Sequence, residues 1–151
     1  MHVDYFRFPG GILRIRSDEG AIVAIEYCQS ISMKDPDHLT DLAIGQLSEY
    51  FAGKRKEFTL PLSLKGTMFQ KRVWQTLRKV PYGSTVSYKD LTIMAGNKRG
   101  FQATGQAVGA NPCMIVIPCH RVINNDGSLG GYGGDRELKR YLLSLEGTYI
   151  R

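Results

Sequence analysis

No stretch of this 151-residue chain approaches the length needed to cross a bilayer, and its first residues carry no signal-peptide pattern. A membrane partner and a secretory route are therefore not expected, whereas a cytoplasmic location (nuclear in a eukaryote) is. Cysteine is scarce. Cys28, Cys113 and Cys119 are an odd number without framework spacing, which excludes a disulfide scaffold and fits a reducing compartment. Cys28 with His2 or His38 makes no zinc-ligand pattern, so no metal site is expected. Internal repeats and low-complexity tracts are lacking. The glycine-rich run Gly130-Gly131-Tyr132-Gly133-Gly134 lacks the flanking strand and helix order of a dinucleotide fingerprint.

What is present is enough hydrophobic sequence, 42%, for one domain or two small ones with a real core. Charge is unevenly spread. Residues 1–65 carry 8 Lys/Arg against 9 Asp/Glu, a net of −1; residues 66–151 carry 12 against 5, a net of +7. The second part is the natural partner for a polyanion.

Residues 2–8, 12–16 and 21–28 read as strands separated by Pro9-Gly10-Gly11 and Asp18-Glu19-Gly20, an antiparallel meander. A helix is expected from about Asp37, with Leu39, Leu42, Ala43, Leu47, Tyr50 and Phe51 on one face and Gly53 as its stop. Residues 58–62 suggest a short strand, and Leu64-Lys65-Gly66 the junction between a sheet-and-helix domain, 1–65, and a helical domain, 66–151. A second helix starts near Thr67, with Phe69, Val73, Leu77 and Val80 as its stripe. Ser87 caps a third, and Gly96-Asn97 separates it from a fourth, about 99–110. Helix, short glycine turn, helix is the helix-turn-helix pattern. Ala103, Gly105, Ala107 and Gly109 let that last helix approach a partner, or a neighbouring helix, closely. Lys98 and Arg99 stand at its start, where exposed N–H groups favour phosphate. A final helix begins near Asp135, with Leu138, Tyr141, Leu142 and Leu145 as its buried face and Glu146-Gly147 at its end.

The chemistry concentrates in Ile115-Val116-Ile117-Pro118-Cys119-His120-Arg121-Val122. An isolated free cysteine is ordinarily a buried structural thiol. Here His120 and Arg121 adjoin Cys119, and cationic neighbours turn a thiol into a nucleophilic thiolate. The Pro-Cys-His-Arg-Val string resembles the active-site motif of the O6-alkylguanine-DNA alkyltransferases, the methylated-DNA–protein-cysteine methyltransferases. Phe69, Gln70, Val73 and Trp74, followed by Pro81 and Gly83, resemble a second stretch of that family. The likeness is specific over residues 82–146 and holds only in outline in the N-terminal half.

The resemblance implies an α+β protein: a small antiparallel-sheet N-terminal domain, ribonuclease H-like, and a helical C-terminal domain with a helix-turn-helix. It implies direct repair of O6-alkylguanine, and of O4-alkylthymine, in double-stranded DNA by a monomer without cofactor. By the same resemblance His120 draws the Cys119 proton and Glu146 orients His120. Adjacent residues do not face each other on a helix, so a bridging water is expected in this triad-like relay. Tyr88 matches the tyrosine that protonates the guanine ring. Asn111 braces the helix-turn-helix against the active-site segment. The backbone of Cys119 and Val122 reads the guanine amino edge, the Gly133 N–H approaches the alkylated oxygen, and Tyr132 and Met114 line the pocket for a flipped nucleotide. DNA contacts fall to Asn97, Lys98, Arg99, Phe101, Gln102, Ala103, Gly105 and Arg121. One position departs from the family: Gln102 stands where an Arg normally enters the base stack.

Alkyl transfer from oxygen to sulfur is a displacement at saturated carbon. Its product, a thioether, is not cleaved by water, so one turnover per molecule follows. Two rival readings use the same residues. A non-enzymatic reader of alkylated DNA resembles relatives that commonly have Trp in place of the cysteine. A cysteine hydrolase would need better dyad geometry than adjacent Cys and His provide.

Overall fold

Alternation of side chains over the first 28 residues builds an antiparallel sheet. β1 (His2–Phe8), β2 (Gly11–Asp18) and β3 (Ala21–Cys28) pair in the order β1-β2-β3, the meander expected. On β2, Leu13 and Ile15 are buried, while Arg14 and Arg16, alternating with them, reach Glu26 on β3. α1 (His38–Phe51) opens with a reciprocal capping box. The Asp37 carboxylate accepts from the Leu39 and Thr40 N–H groups, and Thr40 Oγ1 accepts from the Asp37 N–H. Leu39, Ala43, Leu47 and Tyr50 are buried, Leu42 is exposed, and Phe51 stacks on Phe6 and Phe8. Gly53, at φ +74°, ends the helix.

Residues 58–62 do not form the strand expected of them. They make a single parallel bridge, Ile22 with Leu62, because Pro61 has no N–H to give to a ladder. A second single bridge joins Ile25 to Cys113, with the Ile25 N–H donating to the Pro112 carbonyl and the Met114 N–H to that of Ile25. The computed structural model describes residues 1–96, 100–132 and 135–150. It falls into two compact units, Met1–Lys65 with Pro112–Met114, and Gly66–Asn111 with Ile115–Arg151.

The second unit holds four helices among the described residues: α2 (Met68–Leu77), α3 (Tyr88–Met94), α4 (Gly100–Gly109) and α5 (Arg136–Leu145). Thr67 and Gln70 form a capping box on α2, Ser87 Oγ accepts from the Asp90 N–H on α3, and Asp135 accepts from the Leu138 N–H on α5. Trp74 is buried, and its indole N–H donates to the Ala107 carbonyl at 2.8 Å, tying α2 to α4. One element was not expected. β4 (Val86–Ser87) pairs in parallel with β5 (Val122–Ile123), which sets the first residue of α3, Tyr88, beside the segment that follows Cys119. The Lys89 N–H on α3 also donates to Asn125 Oδ1 at 3.0 Å. The apolar run ahead of Cys119 is buried throughout, and its Ile115 sits at φ +73°, an unusual conformation for a β-branched residue.

Replacing Trp74 by Phe keeps most of the buried ring but leaves the Ala107 carbonyl without its donor. The expected cost is about 1–3 kcal/mol, read as a lowered midpoint in urea unfolding followed by circular dichroism.

Candidate active site

Pro118 breaks the extended run and Cys119–Arg121 form one turn of 3-10 helix. All three side chains are buried, Cys119 at 7% exposure and His120 at 0%. The partner that holds the turn is Glu146, the C-cap residue of α5, itself buried. His120 Nε2 lies 2.7 Å from Glu146 Oε2. Arg121 donates from Nε to Glu146 Oε1 at 2.8 Å and from Nη2 to Oε2 at 3.1 Å, and its Nη1 donates to the Val80 carbonyl at 2.7 Å. Tyr82 flanks this cluster, its ring 5.8 Å from the Arg121 guanidinium and its hydroxyl donating to the Leu145 carbonyl at 3.2 Å. Burial by itself would raise the Glu146 carboxyl. The hydrogen bonds from His120 and Arg121 overcome it and hold the pKa at about 2. Burial pushes the His120 imidazole down, against the pull of Glu146, so the ring is neutral near pH 7. An ionised Glu146 accepts from Nε2–H, which makes Nδ1 the basic nitrogen. That atom is buried and has no hydrogen-bond partner among the described residues.

Arg121, expected on the DNA face, is instead consumed by Glu146 and Val80 in the interior, so its guanidinium is not free to meet phosphate. Nor do His120 and Arg121 act as the cations that lower the thiol pKa, since one is neutral and the other is neutralised by Glu146. Burial pushes the Cys119 thiol up. The groups that oppose burial are the hydrogen-bonding side chains of Asn111 and Tyr132 and the charge of Lys139. Asn111, at the end of the helix-turn-helix, also donates to the Ile117 carbonyl at 2.8 Å.

Lys139 escaped the sequence reading. The buried face of α5 is Leu138, Lys139, Leu142 and Leu143, rotated from the stripe expected, which included Tyr141 and Leu145. A signal was available: 139, 142, 143 and 146 share one helix face, so a buried Glu146 carries Lys139 inward with it. Lys139 Nζ donates to the Val122 carbonyl at 2.6 Å and to that of Gly131 at 3.1 Å.

Of the remaining expected residues, Tyr88 is half-buried, and its phenol is pushed up by burial and by the nearby Cys119. Val122 lies in β5, its N–H donating to the Cys119 carbonyl. Tyr132 is half-buried. Met114 falls in the other unit, beside Ile25 of β3. Asn97, Lys98, Arg99 and Gly133 lie outside the described residues. On α4, Phe101 and Gln102 are exposed, Phe101 at 55%, and Ala103 and Gly105 are half-buried. A Cβ added at Gly105 or Gly109 would meet nothing within 4 Å. Those two glycines therefore serve no internal packing, although Gly105, inside α4, weakens the helix by roughly 0.5–1 kcal/mol relative to Ala. Ala107, by contrast, is buried under Trp74.

Residues 68–148 match the family model "6-O-methylguanine DNA methyltransferase, DNA binding domain", and residues 1–64 match "6-O-methylguanine DNA methyltransferase, ribonuclease-like domain". The chain belongs to the 6-O-methylguanine DNA methyltransferase family. It is 46% identical over 122 residues to the constitutive methylated-DNA–protein-cysteine methyltransferase of Bacillus subtilis, covering 80% of this chain and 73% of that protein. With the methylated-DNA–protein-cysteine methyltransferase of Methanosarcina acetivorans it shares 36% identity, covering 98% and 99% of the two chains. Its fold superposes on the crystal structure of Mycobacterium tuberculosis OGT in complex with DNA with a TM-score of 0.87 at 39% identity, covering 97% and 92% of the two chains. For this family member, no helix among the described residues is long and apolar enough to cross a membrane, and no described group of three or more His, Cys, Asp or Glu could hold a metal ion.

The Glu146 carboxyl has a folded pKa of about 2, below its ordinary 4.5. Its stabilisation is therefore complete above pH 4.5 and is lost as pH falls through about 2. Acid should cost the parent on the order of 3 kcal/mol across that window. Glu146→Gln removes this dependence and strands Arg121, lowering stability near pH 7 by about 3–5 kcal/mol. Unfolding midpoints measured from pH 2 to 7 in both proteins check this.

Proposed function

We propose that this protein repairs DNA by direct, stoichiometric transfer of the alkyl group from O6-alkylguanine, and from O4-alkylthymine, to Cys119 Sγ. The carrying observation is the buried, neutral His120, anchored by Nε2 to Glu146 with Nδ1 left basic, next in sequence to a buried cysteine. In the reaction the Cys119 proton passes through a water to His120 Nδ1. The thiolate attacks the alkyl carbon, the carbon–oxygen bond breaks, and its electron pair stays with the base. Tyr88, held protonated by its raised pKa, donates a proton to the guanine ring as that charge develops. The base leaves repaired and Cys119 keeps the alkyl group as a thioether, ending the life of that molecule as a catalyst. The side chains of Asn111 and Tyr132 favour the thiolate, and the Val122 backbone closes the Cys119 turn.

Residues 66–151 serve DNA binding and transfer. The open Gly105–Gly109 side of α4 lies against the duplex, with Ala103, Phe101 and Gln102 near the extruded base, and the positive charge of residues 66–151 supplies the attraction to phosphate. A single chain carries every group the reaction uses, which supports a monomer, and three free cysteines support a reducing, cytoplasmic setting.

One equivalent of methylated duplex should add one methyl mass to the peptide containing Cys119 and none thereafter. Methyl on Cys28 or Cys113, repeated turnover, or binding without transfer each overturns the reading. A second expectation concerns Gln102, which is shorter than Arg and uncharged. Base extrusion costs a few kcal/mol, and Gln returns less of it. Gln102→Arg should speed single-turnover repair of duplex DNA and leave reaction with free O6-benzylguanine unchanged, since a free base needs no extrusion. An unchanged duplex rate would assign the gap-holding role to Phe101 or Arg99.

A further inference from the structure

Lys139 is a fully buried cation, 0% exposed, that makes no ion pair with a carboxylate among the described residues. Glu146, the buried carboxylate on the same face of α5, is committed to His120 and Arg121. An ammonium stripped of water is unfavourable unless it finds a compensating charge as well as hydrogen-bond acceptors. The carbonyls of Val122 and Gly131 supply acceptors on two sides of the Cys119 turn. The chain bends closely around the ammonium at Gly130, which has φ +78°. A Cβ there would lie 3.4 Å from Lys139 Nζ and 3.1 Å from Asn124 Oδ1.

We propose that the Lys139 ammonium is the counter-charge of the Cys119 thiolate, and that its two carbonyl contacts hold β5 and the 130–132 segment around the sulfur. The proposal rests on Cys119 being the acceptor thiol. The charged and titratable groups facing the pair support this assignment. Arg121 is neutralised by Glu146, His120 is kept neutral by burial, and Tyr88 is kept protonated. Arg136, one turn earlier on α5, disfavours the ammonium rather than compensating it. Lys139 and Cys119 each favour the other's charged form. Burial brings Lys139 down only to about 8, so it is still predominantly charged at neutral pH. Lys139 is a positioning residue: it sets the charge state of the sulfur and the shape of its surroundings while His120 takes the proton.

The test measures modification of Cys119 by iodoacetamide, resolved to its peptide by mass spectrometry, as a function of pH in the parent and in Lys139→Met and Lys139→Gln. Circular dichroism checks that both variants fold. Loss of the counter-charge should move the midpoint of the rate profile up by about one pH unit or more, so that modification near pH 7 slows about tenfold and converges with the parent at alkaline pH. Superimposable profiles, or a slowing by the same factor at every pH, overturn the proposal. If neither variant folds, the reciprocal measurement decides. With carbon-13 at the lysine Cε, the Lys139 titration midpoint should fall in Cys119→Ser, because the thiolate that favours the ammonium is gone; an unchanged midpoint overturns the proposal. Loss of methyl transfer from DNA with the pH shift intact would sink the repair reading alone. Transfer to Cys119 without the shift would sink the counter-charge alone.

Discussion

One buried carboxylate organises the reactive half of this protein. Glu146 accepts from His120 on one oxygen and from Arg121 on both, within a cluster that water does not reach. Each member would be unfavourable there alone, since burying an uncompensated charge costs several kcal/mol. Together they close an electrostatic circuit that runs from the end of α5 to the 3-10 turn and, through Arg121, to the Val80 carbonyl after α2. The circuit also selects chemistry. By accepting at Nε2, Glu146 leaves His120 neutral and basic at Nδ1. By absorbing Arg121, it removes a cation that would otherwise compete to shape the thiol.

The consequence is a division of labour along α5. Its buried face carries a cation at Lys139 and an anion at Glu146, two helical turns apart, on opposite sides of the Cys119 turn's requirements. Glu146 serves the base and Lys139 faces the nucleophile. A buried thiol is a poor nucleophile until something favours its charged form, and the side chains of Asn111 and Tyr132 contribute to the same end. Asn111 joins this local chemistry to the end of the helix-turn-helix, since the same side chain also holds the Ile117 carbonyl.

The face of α4 obeys a different constraint. Gly105, in the middle of α4, weakens the helix, and neither it nor Gly109 fills an internal contact, which leaves this side of the helix open to close approach. Trp74 anchors the opposite side of the same helix through Ala107. The helix is thus buried on one side by its aromatic neighbour and bare on the other, as a helix laid against a nucleic-acid groove needs to be.

Much of this was legible in the residues. The period-2 strands, the caps at Asp37, Thr67, Ser87 and Asp135, and the turns after them are local events, decided within a few positions by side-chain alternation and by which oxygen can reach which N–H. The Pro-Cys-His-Arg-Val string pointed to its chemistry through its resemblance to a family motif, while the local reading of His120 and Arg121 as activating cations failed. The strand expected at 58–62 failed on a local rule, the missing N–H of Pro61. What the local pattern did not reveal was where charges end up. Whether Arg121 faces DNA or Glu146, whether Lys139 is solvated or buried, and whether two short segments 36 positions apart pair as β4 and β5 depend on contacts between distant parts of the chain. An isolated Arg or Lys looks the same in sequence whichever it does. Desolvation, which makes the difference, exists only once the chain has closed around the site.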